Sequence, residues 1–410
     1  MSQQGPVIVV STAERPSFAA ALDEAGIFPV IDTVLAEASR AIGQLQPAAV
    51  LVGMAETLEA GFVALARQIA AARPYLPLIA VDPVTALPGN AIPFSQRATN
   101  SDRLIARLRA ALRVRTLHTT VMRRLDAEPA ARPSLPDGDP VRDATVLLIG
   151  RGAAYPALSV ALGERMGVVG ALSIEAAARH LNTRDIDGIV LGEGFSVRVV
   201  DAFLTVLSED ARFRNLPVVL TSDELVPTYD LANLEIIAGD PGQVAANSSS
   251  LIRQHALEML LSRTLRSIDA GGLLDPRTGL MIPAAFDREL ARAVDQTLSN
   301  GGGLSVARFA FDAAQPRAQF DAARIVSRLM RQMDFGAIKP DGSVMVVFAE
   351  TDLRNAHMIA RRLSSVMRHT SHGKRDARSE PVVTLATLLP ADSAASLLAR
   401  LDEEARRAAS

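Results

Sequence analysis

The sequence predicts an α/β protein: two similar units, each a parallel sheet covered by helices, and then a third α/β unit with a different pattern. Three observations carry this. Short apolar runs alternate with helical patterns, as in a parallel sheet with helices on both faces. The alternation starts afresh after a stretch rich in Pro, Asp and Gly, Glu128–Pro140, giving an internal duplication with a unit of about 120 residues that suits a flavodoxin-like strand order. After Gly271-Gly272 the pattern changes again. The expected units are 1–126, a linker over 127–143, 144–268 and 269–410.

In the first unit, Pro6–Val10, Ala48–Val52 and Leu78–Val81 read as buried strands, with helices from Ser17 to about Ala25 and over Ala60–Ala72. Residues 101–124 form a long Arg-bearing amphipathic helix, expected to pack one face and solvate the other. Glu128–Pro140 should be an extended linker. In the second unit the strands are Thr145–Ile149, Gly188–Leu191, Leu216–Leu220 and Leu234–Ile237, and a helix runs from about Ser248 to Ile268.

Composition excludes several function classes. The chain has no cysteine among 410 residues, so neither disulfides nor thiolate metal sites exist. A net charge of −2 argues against broad nucleic-acid binding. With no Trp and three Tyr, a base-stacking surface is not expected. No apolar run is long enough for a membrane helix, and Met1–Pro6 shows no secretion signal. The expectation is a cytoplasmic protein without membrane insertion. His369 and His372 lack a third ligand and read as a polar loop, so no metal site is expected.

The third unit opens Asp-Pro-Arg-Thr-Gly-Leu-Met-Ile-Pro-Ala-Ala-Phe over residues 275–286. This resembles the DxLTGLxNRRxF opening of GGDEF (diguanylate cyclase) domains. The resemblance implies a nucleotide-cyclase-like α/β sandwich. It also places the signature turn on Pro340, Asp341, Gly342, Ser343 and Val344, where glycines and acids have been lost. Proline fixes φ and lacks the N–H donor that a phosphate-cradling turn uses. Ile282 stands at the guanine-binding asparagine position, with Pro283 after it, and the first strand, Leu304–Asp312, ends in a single acid. These losses together imply that the domain is not an enzyme.

Another family feature is kept. Arg331-Gln-Met-Asp334 matches the RxxD product-inhibition site, with the family's five residues between Asp334 and Pro340. The helix before it has apolar Ala322, Val326, Leu329, Met330 and Met333, with Arg324, Arg328 and Arg331 on another face. Arg331 and Asp334, three apart, can point the same way. A guanidinium fork suits guanine O6/N7 or phosphate, and a carboxylate suits the N1–H/N2–H edge. The second family arginine falls on Arg362 without a gap. Cyclic di-GMP is the ligand implied, without metal. The competing reading is a surface Arg-x-x-Asp ion pair.

The first two units resemble response-regulator receiver domains. The phospho-acceptor position falls on Gly53 in one and Gly192 in the other, Arg151 replaces an expected acid, and Asp240-Pro241 stands where lysine precedes the proline. Only Thr221 resembles the usual hydroxyl; Asp82 and Glu14 read as loop acids. Both are therefore expected to be pseudo-receivers for dimerisation and docking. The whole layout resembles cell-cycle effectors of the GGDEF family. That resemblance implies a homodimeric cyclic di-GMP receptor recruited to the cell pole, with partners such as an RcdA-like protease adaptor and ClpXP-linked substrates. A nucleotide-independent scaffold and a weak residual cyclase or GTP binder remain the alternatives.

Overall fold

Fully apolar strands dictate where the first two cores lie. In the computed structural model, which describes residues 5–11, 15–26, 28–96, 101–127, 135–136, 138–222, 229–312, 316–368 and 380–409, β1 (Val7–Val10), β3 (Ala49–Val52) and β4 (Leu78–Val81) are buried along their whole length. Such strands need helices on both faces. Here α1 (Ser17–Ala25) and α5 (Ser101–Ala127) cover one face, and α2 (Leu35–Leu45) and α4 (Ala60–Ala70) the other. With β2 (Val30–Thr33) and β5 (Ala91–Phe94), the parallel sheet runs β2-β1-β3-β4-β5. A single helical turn, α3 (Met54–Thr57), precedes α4.

The second unit repeats the plan. β6 (Thr145–Ile149), β7 (Gly167–Ala171), β8 (Gly188–Leu191), β9 (Val218–Leu220) and β10 (Leu234–Ile236) are parallel in the order β7-β6-β8-β9-β10. Their helices are α6 (Tyr155–Gly163), α7 (Ile174–Thr183), α8 (Val197–Glu209) and α9 (Pro241–Asp269). Both sheets thus have the 2-1-3-4-5 strand order of the flavodoxin-like fold.

Two expectations change, and one loop stands out. The helix expected from Ser248 begins at Pro241, because Asp240 caps it through Gly242 N (2.9 Å) and Gln243 N (3.1 Å) and proline suits the first helical position. Within the expected linker, Pro140–Asp143 is a short 3-10 turn capped by Asp139, with Val141 buried; residues 128–134 and 137 lie outside the described residues. Between β4 and β5, residues 82–90 form a loop where regular alternation would place a helix. α9 of the second unit packs there instead, and Leu87 N donates to Asn247 Oδ1 (3.3 Å).

The units therefore join last strand to last helix. α5 lies along α9, and one apolar core runs from Val7 of the first unit to Ile252 of the second. At its edge Arg107, 1% exposed, donates to Glu235 Oε2 (3.1 Å) and to the carbonyls of Pro93, Ala232 and Leu234 (2.7–3.0 Å). Arg113 and Arg124 pair with Glu258 and Asp269. The arginines of α5 are thus bridges between units as well as solvated charges.

The third unit contains α10 (Pro283–Asn300), β11 (Leu304–Ala310), α11 (Pro316–Leu329), β12 (Phe335–Ile338), β13 (Val344–Ala349), α12 (Leu353–Met367), β14 (Val382–Thr387) and α13 (Ala394–Ala409). Its sheet is antiparallel, ordered β12-β13-β11-β14. α11 and α12 cover one face and α10 and α13 the other, each over its own apolar core. No helix among the described residues is long and apolar enough to cross a membrane.

Candidate functional site

α11 decides what the third unit presents. Arg317, Asp321, Arg324 and Arg328 recur at helical spacing and so share one face. That face docks on the second unit. Arg324, 3% exposed, donates to Asp143 O (2.9 Å) and Asp187 Oδ2 (3.1 Å), and its Nε lies 3.5 Å from Asp185. Arg328 pairs with Asp185 (2.9 Å), and Arg317 donates to Ala144 O and Thr145 Oγ1. Burial works against the Arg324 cation, but the carboxylates of Asp187 and Asp185 outweigh it and raise its pKa. The same arginine holds Asp185 below the usual carboxylate range despite burial. Phe320 fills the centre, with the guanidinium groups of Arg277, Arg317 and Arg324 4.9–5.9 Å from its ring centroid.

Arg331 does not continue this face, which corrects the expectation that it lines up with Arg324 and Arg328. The helix stops at Leu329, and residues 331–334 form a turn closed by Asp334 N to Arg331 O (3.1 Å). Asp334 Oδ2 accepts from Arg331 N (3.4 Å), replacing the helical acceptor that N–H would otherwise use. Oδ1 accepts from Ala349 N (3.2 Å), tying the turn to the end of β13, just ahead of α12. Asp334 is 8% exposed, and burial pushes its carboxyl above the usual carboxylate range, the two backbone donors offsetting part of that.

The Arg331 side chain is exposed and has no ion-pair partner among the described residues. The same holds for Arg362 on α12, which packs against α11. The structure therefore brings Arg331, Asp334 and Arg362 onto adjoining elements, with Asp334 as much a backbone acceptor as a surface acid. Met333, expected in the core, is 58% exposed within the turn, and Met358, one helical turn before Arg362, is 57% exposed. Sequence periodicity hid both; only the early end of α11 reveals Met333.

The signature turn is a hairpin between β12 and β13. Lys339 N donates to Ser343 O and Gly342 N to Lys339 O, both at 2.9 Å. Asp341 Oδ1 accepts from Ser343 N (2.9 Å) and Oγ (2.7 Å), and Arg308 pairs with the same carboxylate. Burial raises the Asp341 carboxyl, but these donors prevail and hold it low. Gly342 has φ 81°, and a Cβ there would run into the Gln319 side chain. Pro340 is exposed at the tip. Ile282 caps α10 without a side-chain bond, next to Pro283 at the first position. Asp275 and Thr278 close the opening motif on themselves (2.6 Å), and Arg277 reaches Asp143 of the second unit (2.8 Å).

In the parallel units, Gly53 and Gly192 each follow directly on the carboxyl end of a strand, β3 and β8. Gly53 caps α3, and a Cβ there would stand 2.6 Å from Glu56 Oε2. Glu56 is 3% exposed, a buried carboxylate that sequence reading missed. Beside Gly192 is a cavity of about 110 Å³, lined by Leu191, Phe195, Val200 and Leu220. Thr221 Oγ1 donates to Leu191 O (3.3 Å), and Arg151 stacks on Phe195. Asp82 accepts from Gln96 N (2.7 Å), a loop role. Glu14, His369 and His372 lie outside the described residues. No group of three or more potential metal ligands occurs among the described residues.

Among solved structures, the neighbours of this chain are GGDEF domains. The GGDEF domain of DgcB from Caulobacter crescentus, in complex with c-di-GMP, shares 17% identity over 32% of this chain and 84% of that one, with a TM-score of 0.30. A sensory box/GGDEF family protein from the same organism is 23% identical, over 33% of this chain and 97% of that one, with a TM-score of 0.28. The FimX GGDEF domain from Pseudomonas aeruginosa is 18% identical, over 33% and 94%, with a TM-score of 0.30. No protein-family profile and no curated protein matches the chain. The likeness covers about a third of the chain, so the assignment of the site rests on its residues.

Proposed function

We propose that this chain is a non-catalytic receptor for cyclic di-GMP, bound at Arg331, Asp334 and Arg362, that recruits protein partners. The observation that carries the reading is the contrast in arginine use. All arginines of α11 are engaged by the second unit. Arg331 and Arg362, on adjoining elements, are exposed and unpaired among the described residues. Two guanidinium forks beside a carboxylate suit guanine edges and phosphates. Met333 and Met358 add polarizable surface for a purine face. DgcB and its c-di-GMP complex give the ligand a precedent among fold neighbours. The non-catalytic part is supported by the hairpin, whose one carboxylate, Asp341, is taken by Ser343 and Arg308.

The two parallel units act in this proposal as pseudo-receivers, with Gly53 and Gly192 removing phosphate input. The layout resembles that of PopA, a cell-cycle effector. By that resemblance the proposal extends to a homodimer recruited to the cell pole, with an RcdA-like adaptor and ClpXP-linked substrates. One observation favours the scaffold reading instead: Asp334 is buried and bonds two backbone N–H groups, a structural role needing no ligand.

Calorimetric titration with cyclic di-GMP, beside Arg331→Ala and with GTP as control, separates the readings. Micromolar or tighter binding, lost in the variant and absent for GTP, is expected. Absence of binding in two independent assays leaves the scaffold. Nucleotide turnover that disappears on replacing Asp312 would restore an enzyme.

A further inference from the structure

α12 has a second cationic stripe beside the one carrying Arg362. Between Leu353 and Met367 it holds Arg354, His357, Arg361 and Arg362 and no acid. His357, Arg361, Ser364 and Arg368 line a cleft of about 500 Å³ whose opposite wall is Glu380, ahead of β14, with Val383 and Leu385 of β14. Arg368 pairs with Glu380, while Arg361 and His357 have no ion-pair partner among the described residues.

β14 is an edge strand. Leu388 N donates to Leu304 O (2.8 Å), and the register runs on through Ala386 opposite Val306 and Thr384 opposite Arg308. Antiparallel pairing alternates, so even-numbered residues bond β11 and odd-numbered ones turn their N–H and C=O outward. Thr387 O fits this, since it accepts from Arg400 rather than from β11. Val383 and Leu385 thus offer the cleft their side chains and the outer edge their backbone groups. An open edge beside a groove is the setting for strand addition by an extended peptide.

We propose that the β14–α12 cleft binds an extended acidic segment of a protein partner, which adds as a strand to β14 and sets its carboxylates against Arg361 and His357. Charge selects this occupant. A second copy pairing β14 to β14 would set two clefts, each with an Arg361 unpaired among the described residues, side by side with no carboxylate offered to either. The site is separate from the cyclic di-GMP site and does not depend on it.

The test is fluorescence anisotropy with a short labelled peptide of alternating glutamate and valine. Comparators are a lysine–valine peptide, a glutamate–valine peptide interrupted by prolines, and oligothymidylate. The glutamate–valine peptide alone should bind, more weakly as salt rises. Arg361→Glu should weaken it at least roughly tenfold, the loss of a charged hydrogen bond. Val383→Pro removes an outward N–H without removing a ladder bond and should do the same. Circular dichroism checks the fold of each variant, and Arg361→Glu stands alone if the proline variant misfolds. Equal binding of the lysine or proline-interrupted peptide, binding of oligothymidylate, or an unaffected Arg361→Glu variant overturns the proposal. Cyclic di-GMP titrated into Val383→Pro reads the Arg331 site separately, so either proposal can fail without the other.

Discussion

Arg324 and Arg331 are seven residues apart, two helical turns in an unbroken α-helix, and have opposite surroundings. Arg324 is sealed between Asp187, Asp185 and a carbonyl. Arg331 is exposed and unpaired among the described residues. The cause is local: α11 ends at Leu329, and Asp334 supplies the acceptor that the next helical turn would have supplied. One side of that break is an interface between units; the other is exposed. The comparison teaches that an arginine stripe read at helical spacing holds only as far as the helix does.

The comparison breaks most visibly at its buried end. Arg324→Ala leaves Asp187, 1% exposed, beside Asp185 without the cation between them. Removing one partner of a buried pair costs about 3–5 kcal/mol, so urea unfolding should show a loss of that order. A variant as stable as the parent would mean that the docked face contributes little to holding the third unit on the second.

At the exposed end the expected pattern reverses. Arg331→Ala should leave the unfolding free energy within about 0.5 kcal/mol of the parent, as surface changes do. Its affinity for cyclic di-GMP should fall at least roughly tenfold, since hydrogen bonds to charged groups contribute about 1.5–3 kcal/mol. Isothermal titration and thermal unfolding on the same preparation check both halves. A stability loss comparable to that of Arg324→Ala would erase the distinction between the two arginines.

How far these features could be read from the sequence follows the same physics. The central strands β1, β3, β4, β6 and β8 are continuous apolar runs and were legible within a residue. In the two parallel units the strands that were missed, β2, β5 and β7, are all sheet edges. There one side of the ladder is open, which tolerates Asp32 in β2, Pro93 in β5 and Gly170 in β7. Arg331, Asp334 and Arg362 could be singled out because a motif fixes residue identity and spacing. Their settings were not, because burial of Asp334 and exposure of Met333 depend on where α11 stops. The carboxylates that meet Arg107 and Arg324, Glu235 and Asp187, lie more than a hundred residues away in sequence, and no local pattern announces them. Glu56 is a different case: it is only three residues from Gly53, beside which its carboxylate lies, but its burial does not show in the local pattern.

The smallest expected effect sharpens the contrast within the RxxD turn itself. Burial holds the Asp334 carboxyl above the usual range. To accept from a guanine N1–H and N2–H edge, Asp334 must be ionised. Protonation therefore competes with the ligand and begins at a higher pH than for an ordinary aspartate near 3.9. The sign for folding is opposite. A carboxyl with a raised folded pKa favours the folded state when protonated, so its contribution improves as pH falls through that value and is lost as pH rises. Cyclic di-GMP affinity should thus begin to weaken at a higher pH than an ordinary aspartate would dictate as the solution is acidified, while the Asp334 contribution to stability increases. Asp334→Asn should flatten the pH dependence of binding. A pH dependence that persists in Asp334→Asn would assign the titration to another group and leave Asp334 a backbone acceptor alone.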